Sequence, residues 1–235
     1  MIVRRLNING LKGYLEDGDT ILVPNLRSRD AILFQYLNDS DQTPKPTPKI
    51  FPVDIFIQKI WELNSRTGTS RCSRSRIISP EEELILWETI IEVSLESIPL
   101  LNSSETSKTV SHSYHLAQQW ILDETKLENS GSKFMKKDAI IFSNWRQKFQ
   151  EHCDEKGIIT LVDATISLIK LISSRKINHL PARTVLVNFH ESPPLYKKLF
   201  DVLPQTVEIS TFEVINSIEK ENQTLIETKD INQEV

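Results

Sequence analysis

Thr184-Val185-Leu186-Val187-Asn188-Phe189 decides the fold. It is a continuous aliphatic, β-branched run, as a central parallel strand buried on both faces requires. Ser192-Pro193-Pro194 then starts a helix through Leu195, Leu199 and Phe200, and Val207-Glu208-Ile209 reads as a further short strand. The beginning of the chain reads the same way. Asp19-Thr20-Ile21-Leu22-Val23-Pro24-Asn25 is a buried strand closed by Pro and Asn, and a helix follows from Arg27 to Leu37 with Ala31, Ile32, Phe34, Tyr36 and Leu37 on its pattern. Residues 39–48 hold three prolines and form a loop; Lys49-Ile50-Phe51 is a second strand, and Asp54 caps a helix through Trp61.

Between these α/β stretches the sequence is helical. Ser79-Pro80-Glu81-Glu82 is a helix start, with Pro80 at the first helical position and Glu82 completing a capping box with Ser79. Its stripe is Leu84, Trp87, Ile90, Ile91 and Leu95. A second helix is expected over 111–124, around Leu116, Trp120 and Ile121. A third spans 138–156, with Ile141, Trp145, Phe149 and Cys153 four apart, and Gly157 closes it. Thr160 caps a fourth, with Asp163 at the capping-box position. The economical reading is one parallel sheet interrupted by a helical insertion. It divides the chain into 1–78 and 181–215 as the two α/β parts, 79–180 as the helical subdomain and 216–235 as an acidic tail.

The chain has 235 residues, of which 39% are hydrophobic and 26% charged, enough apolar material for a real core. It has no apolar run long enough to span a bilayer and no secretory h-region. Two cysteines, Cys72 and Cys153, suit a reducing cytoplasm. The six glycines are spaced so that neither G-x-x-x-x-G-K-[ST] nor G-x-G-x-x-G occurs, which excludes a self-sufficient P-loop NTPase and a fingerprint-bearing dehydrogenase. The net charge of −4 belongs to residues 213–235, which hold six acids and two lysines; the first 212 residues sum to zero. The last dozen residues are expected to be disordered. Within the neutral part, residues 65–76 carry Arg66, Arg71, Arg74 and Arg76 and no acid. This Ser/Thr-rich stretch is either a solvated loop or a phosphate contact.

Other constellations are plainer. His112-x-x-His115 puts two imidazoles on one helix face, but a metal site needs a further ligand, and two solvated or core-edge histidines are the ordinary reading. His190-Glu191 follows the principal strand, at the end where α/β folds bind ligands; Glu191 either serves a site there or caps the next helix. Trp61, Trp87, Trp120 and Trp145 are read as core residues, and Cys153 as a buried small hydrophobe. No Ser/His/Asp spacing stands out.

Five segments together resemble one family. They are Thr20–Arg27, Pro48–Asp54 running into Trp61, Leu84–Ile91, Phe142–Cys153 and Val185–Pro194. They are similar to the N-terminal region of bacterial DNA-repair proteins related to the AddB and RecC subunits, in which a helicase-like module precedes a PD-(D/E)xK nuclease. The resemblance implies an inactivated P-loop helicase-like domain, with Asn25 and Arg27 at motif Ia, residues 51–54 at the next DNA-side loop, and His190 and Glu191 at a degenerate Walker B position. It implies no cofactor, because the Walker A loop is missing and His190 replaces the Walker B Asp. The nuclease domain is absent, so the expectation is a truncated or stand-alone remnant that is not an enzyme. The implied role is a non-catalytic DNA-repair module that binds single-stranded DNA or a helicase/nuclease partner subunit, with no membrane association. The rivals are a pure interaction protein and a small α/β hydrolase or transferase using Glu191.

Overall fold

In the computed structural model, the structure describes residues 2–6, 8–38, 47–65, 75–94, 102–122, 133–189, 191–209 and 212–216. They form two compact units. The first comprises Met1–Val53, Ala182–His190 and Gln205–Val235; the second comprises Asp54–Pro181 and Glu191–Pro204.

The first unit is built on strands β2 (Thr20–Val23), β3 (Lys49–Pro52), β6 (Thr184–Val187) and β7 (Thr206–Ile209). Every neighbouring pair is parallel and the order is β3-β2-β6-β7. The expectation that the early strands and the Thr184 strand share one parallel sheet therefore holds. Both central strands are buried at every position, which explains why neither shows the polar alternation of a half-exposed strand. Helices α1 (Lys12–Glu16) and α2 (Leu26–Asn38) supply Leu15, Ile32 and Tyr36 to a core with Ile21, Val23, Ile50, Val185 and Val187. The turn before β2 uses Gly18 at φ 75°, a backbone state that favours glycine. Asp19 then pairs with Arg183 at 3.0 Å, and the Thr20 N–H donates to the Arg183 carbonyl, aligning the entrances of the two central strands. A separate antiparallel pair, β1 (Ile2–Leu6) with β8 (Phe212–Asn216), was not foreseen; β8 runs one residue into the stretch assigned to the tail. Residues 217–235 lie outside the described residues.

The second unit contains α3 (Val53–Ser65, whose first residue falls in the sheet unit), α4 (Pro80–Ser94), α5 (Ser103–Gln119), α6 (Lys133–Lys156), α7 (Leu161–Ser173) and α8 (Pro194–Val202). A two-residue parallel pair, β4 (Arg76–Ile77) with β5 (Ile158–Ile159), brings the residues before α4 beside those between α6 and α7. The capping box at Ser79 is present in both directions: the Glu82 N–H donates to Ser79 Oγ, and the Ser79 N–H donates to the Glu82 carboxylate. Thr160 caps α7 by accepting from the Asp163 N–H. Gly157 adopts φ 61° at the end of α6, as its position predicts.

The unit boundaries differ from 78/79 and 180/181. Helix α3 belongs with the helical unit, because the Trp61 indole N–H donates to the Ser75 carbonyl, Asn64 accepts from the Asn178 N–H, and Asp54 accepts from the Tyr196 hydroxyl. Helix α8 belongs there too, since it packs on α5 and α7. Helix α5 begins at Ser103 rather than Ser111. The intervening Ser/Thr-rich stretch has weak intrinsic helicity, but Asn102 caps it through the Glu105 N–H, and Ser107 and Val110 are buried.

Candidate functional site

Two places in the fold bring polar residues together. The first is the carboxyl edge of the sheet. From β2 the chain moves through α2 to β3 on one side, and from β6 it moves through α8 to β7 on the other. The crevice between the carboxyl ends of β2 and β6 is therefore a topological switch point, where open α/β sheets bind ligands. On the β2 side the turn is only Pro24-Asn25. The Asn25 side chain accepts from the Ser28 N–H at 2.9 Å and so caps α2 with the protein's own oxygen. Leu26 and Arg27, in the first turn of α2, are exposed, and Arg29 is drawn to Asp30 at 2.9 Å. On the β6 side Asn188 adopts φ 62°, a state in which Asn is enriched, and its N–H donates to the Ile209 carbonyl. His190 lies outside the described residues.

Glu191 is exposed and does not cap the next helix. The N-cap of α8 is Pro193, whose ring has no acceptor to offer, and the Tyr196 and Lys197 N–H groups donate instead to the Pro193 carbonyl. Of the four clustered arginines, Arg66, Arg71 and Arg74 lie outside the described residues. Arg76 is half of a bidentate pair with Glu82, at 2.7 and 2.9 Å. That hydrogen bond and charge raise the guanidinium's pKa and lower that of the carboxylate. Arg76 therefore stands neutralised rather than as an open phosphate contact.

The second place lies inside the helical unit. Helix α4 turns Glu83, Leu86, Trp87, Ile90 and Ile91 inward, so an acid occupies a core position. The buried Glu83 carboxylate accepts from the Trp87 indole N–H (3.2 Å) and the Ser111 hydroxyl (2.9 Å), and faces His115 Nε2 at 2.9 and 3.0 Å. Burial acts to lower the pKa of His115, but the hydrogen bond and charge of Glu83, helped by the charges of Asp163 and Asp54, outweigh it and raise the value. A second acid, Asp163, accepts from the Tyr114 and Thr160 hydroxyls, each at 2.6 Å. Burial and the Asp163 charge hold the Tyr114 phenol firmly protonated. Cys153 is buried; burial, with Asp163, Glu83 and Asp154, pushes its thiol up to about 12, which fits a core hydrophobe and not a nucleophile.

His112 is exposed while His115 is half-buried, so the pair separates into a solvated residue and a core-edge one. Among the described residues no group of three His, Cys, Asp or Glu could hold a metal ion. Ser111 donates to Glu83 rather than to an imidazole, and this bond ties α5 to α4. Sequence reasoning missed Glu83. Its signal was present: Glu83-Leu86-Trp87-Ile90-Ile91 has core spacing, which puts a carboxylate where an apolar residue belongs. Trp61, Trp87 and Trp145 are core residues as read, but Trp120 is 52% exposed, because α5 ends just before it.

No helix among the described residues is long and apolar enough to cross a membrane. The chain matches no protein-family model, and no curated protein is similar to it.

Proposed function

We propose that the protein is a non-catalytic, helicase-like DNA-repair module that receives single-stranded DNA at the carboxyl edge of its sheet. The observation that carries this reading is the strand order. The segments resembling motif Ia, the next DNA-side loop and the Walker B position lie on β2, β3 and β6, which are consecutive parallel neighbours, so their following loops leave from one edge. Asn25 occupies the amides at the start of α2, the turn after β2 has no glycine, and no phosphate cradle forms there. Arg27 supplies an exposed cation beside the switch point. Docking of a partner subunit is a second reading, favoured by Phe34 (69% exposed) and Leu37 (56% exposed) on the outer face of α2.

The test is fluorescence anisotropy with a short oligothymidine at several salt concentrations. Binding should weaken as salt rises, and Arg27→Ser should reduce the log–log slope by about 0.7, one single-strand phosphate contact. Calorimetry with Mg-ATP should give no heat of binding. Absence of DNA binding at low salt, or micromolar affinity for ATP, would reject the reading.

A further inference from the structure

Helix α5 has little apolar anchorage. Seven of its 17 residues are Ser or Thr, which favour helices less than Ala or Leu. Thr106, Thr109 and Ser113 turn their hydroxyls back onto carbonyls four residues earlier, and Ser107 onto one three earlier, contacts that slightly weaken a helix. Its buried residues are Ser107, Val110 and Tyr114, whereas the shorter α4 and α7 bury five residues each.

What ties α5 down is a set of side chains that end on carboxylates of its neighbours. The Ser103 hydroxyl donates to Glu92 at 3.2 Å, Ser111 to Glu83 at 2.9 Å and Tyr114 to Asp163 at 2.6 Å. His115 Nε2 lies 2.9 and 3.0 Å from the two oxygens of Glu83. Of these groups the imidazole is the one that ordinarily changes charge near neutral pH. The charges of Glu83 on α4, Asp163 on α7 and Asp54 on α3 all act on it. Arg146 on α6 and Lys198 on α8 lie farther along α5, where they line a cavity with Ala117 and Gln118; His112, one turn earlier, is exposed. Glu83 is buried, so while His115 is protonated the carboxylate has a counter-charge, and it loses that counter-charge when the proton leaves.

We propose that α5 is a pH-governed flap, docked while His115 carries its proton and undocking from α4 and α7 ahead of the rest of the helical unit once the proton leaves. Undocking withdraws Tyr114 from Trp87 and Phe149, whose ring centroids lie 5.6 and 5.5 Å from its own, and so bares the stacked pair. Burial acts against the imidazolium, but the hydrogen bond and charge of Glu83, with Asp163 and Asp54, outweigh it and raise the pKa. The imidazolium's contribution to docking is therefore fully present below about pH 6.5 and is lost as pH rises through the folded value. The opening is local, a property of one weakly anchored helix rather than of the whole unit. This inference is independent of the DNA reading, because its residues belong to the helical unit alone.

Hydrogen exchange on the whole chain between pH 6 and 9, corrected for the intrinsic pH dependence of amide exchange, tests it. Protection of the α5 amides should fall relative to that of the α7 amides, by up to roughly tenfold for each unit by which the folded pKa exceeds 6.5. Glu83→Gln, which removes the charge and keeps the volume, should make the ratio of α5 to α7 protection independent of pH, and His115→Gln should do the same. Should either variant fail to fold, the ratio in the parent protein decides. The proposal is overturned if α5 and α7 lose protection in parallel, if their ratio does not change with pH, or if folded Glu83→Gln keeps the change.

Discussion

The sheet unit and the helical unit are stabilised differently. The sheet core is aliphatic, Ile21, Val23, Ile50, Val185 and Val187 with Tyr36 as its buried aromatic residue. The helical core is aromatic and directional. Trp87 stacks on Phe149 with centroids 4.0 Å apart and planes 2° apart, and Tyr114 is tilted against both. Buried polar groups run through it: Glu83 holds Trp87, Ser111 and His115, and the Trp145 indole N–H donates to Ser94 Oγ at 2.6 Å. In a parallel sheet backbone pairing fixes the spacing and direction of the strands and the apolar pattern fixes their register, so aliphatic side chains suffice. Helices have no shared backbone ladder. Their relative rotation must come from side chains with geometry, and rings and buried acids supply it.

All four tryptophans fall within the helical unit, so indole fluorescence follows that unit alone. The largest effect expected on it is from Trp87→Ala. The stacked ring is fully buried, and its removal should cost about 3–5 kcal/mol in urea denaturation followed by fluorescence. A loss below about 1 kcal/mol would mean that the stack does not organise the core.

Next comes Glu83→Ala. It strands the Trp87 indole N–H, the Ser111 hydroxyl and the His115 imidazole around an emptied site, and should cost about 2–4 kcal/mol in the same assay. Glu83→Gln, which keeps the volume and one acceptor, should cost less. If the two substitutions cost the same, the carboxylate charge rather than its hydrogen bonds does the work.

The smallest effect is a pH dependence through His115. Its folded pKa lies above that of a free imidazole, so its contribution is fully present below about pH 6.5 and is lost as pH rises through the folded value. Stability measured between pH 5 and 9 should therefore fall across that window, and His115→Gln should flatten the fall. An unchanged profile in the variant would show that the imidazole carries no charge beside Glu83.

Legibility followed the same division. The strands at Thr20 and Thr184, their shared parallel sheet, the capping box at Ser79, the Thr160 cap and the Gly157 stop were all readable. The caps, the stop and the strands depend on residues adjacent in sequence or on a single hydrophobic period, and the shared sheet follows from the two strands' common unbroken apolar pattern. The β1–β8 pair was not readable, because its two strands come from opposite ends of the chain and neither is long.

The candidate sites show a sharper limit. Arg76 looked like an open cation because Glu82, six residues on, was already explained by its capping role; the carboxylate does both jobs.

By itself the sequence determined the strands at Thr20, Lys49, Thr184 and Val207 and most of the helices, where several of them start and stop, and that no glycine-rich phosphate loop exists. These are local matters of propensity, capping and period. Only the tertiary structure decided that α3 and α8 join the helical unit, that Glu83 and His115 face each other, and that Asp163 receives the Tyr114 hydroxyl. Such pairings arise when distant segments bury their apolar faces together, and burial brings polar groups along that no short stretch of sequence can match to one another.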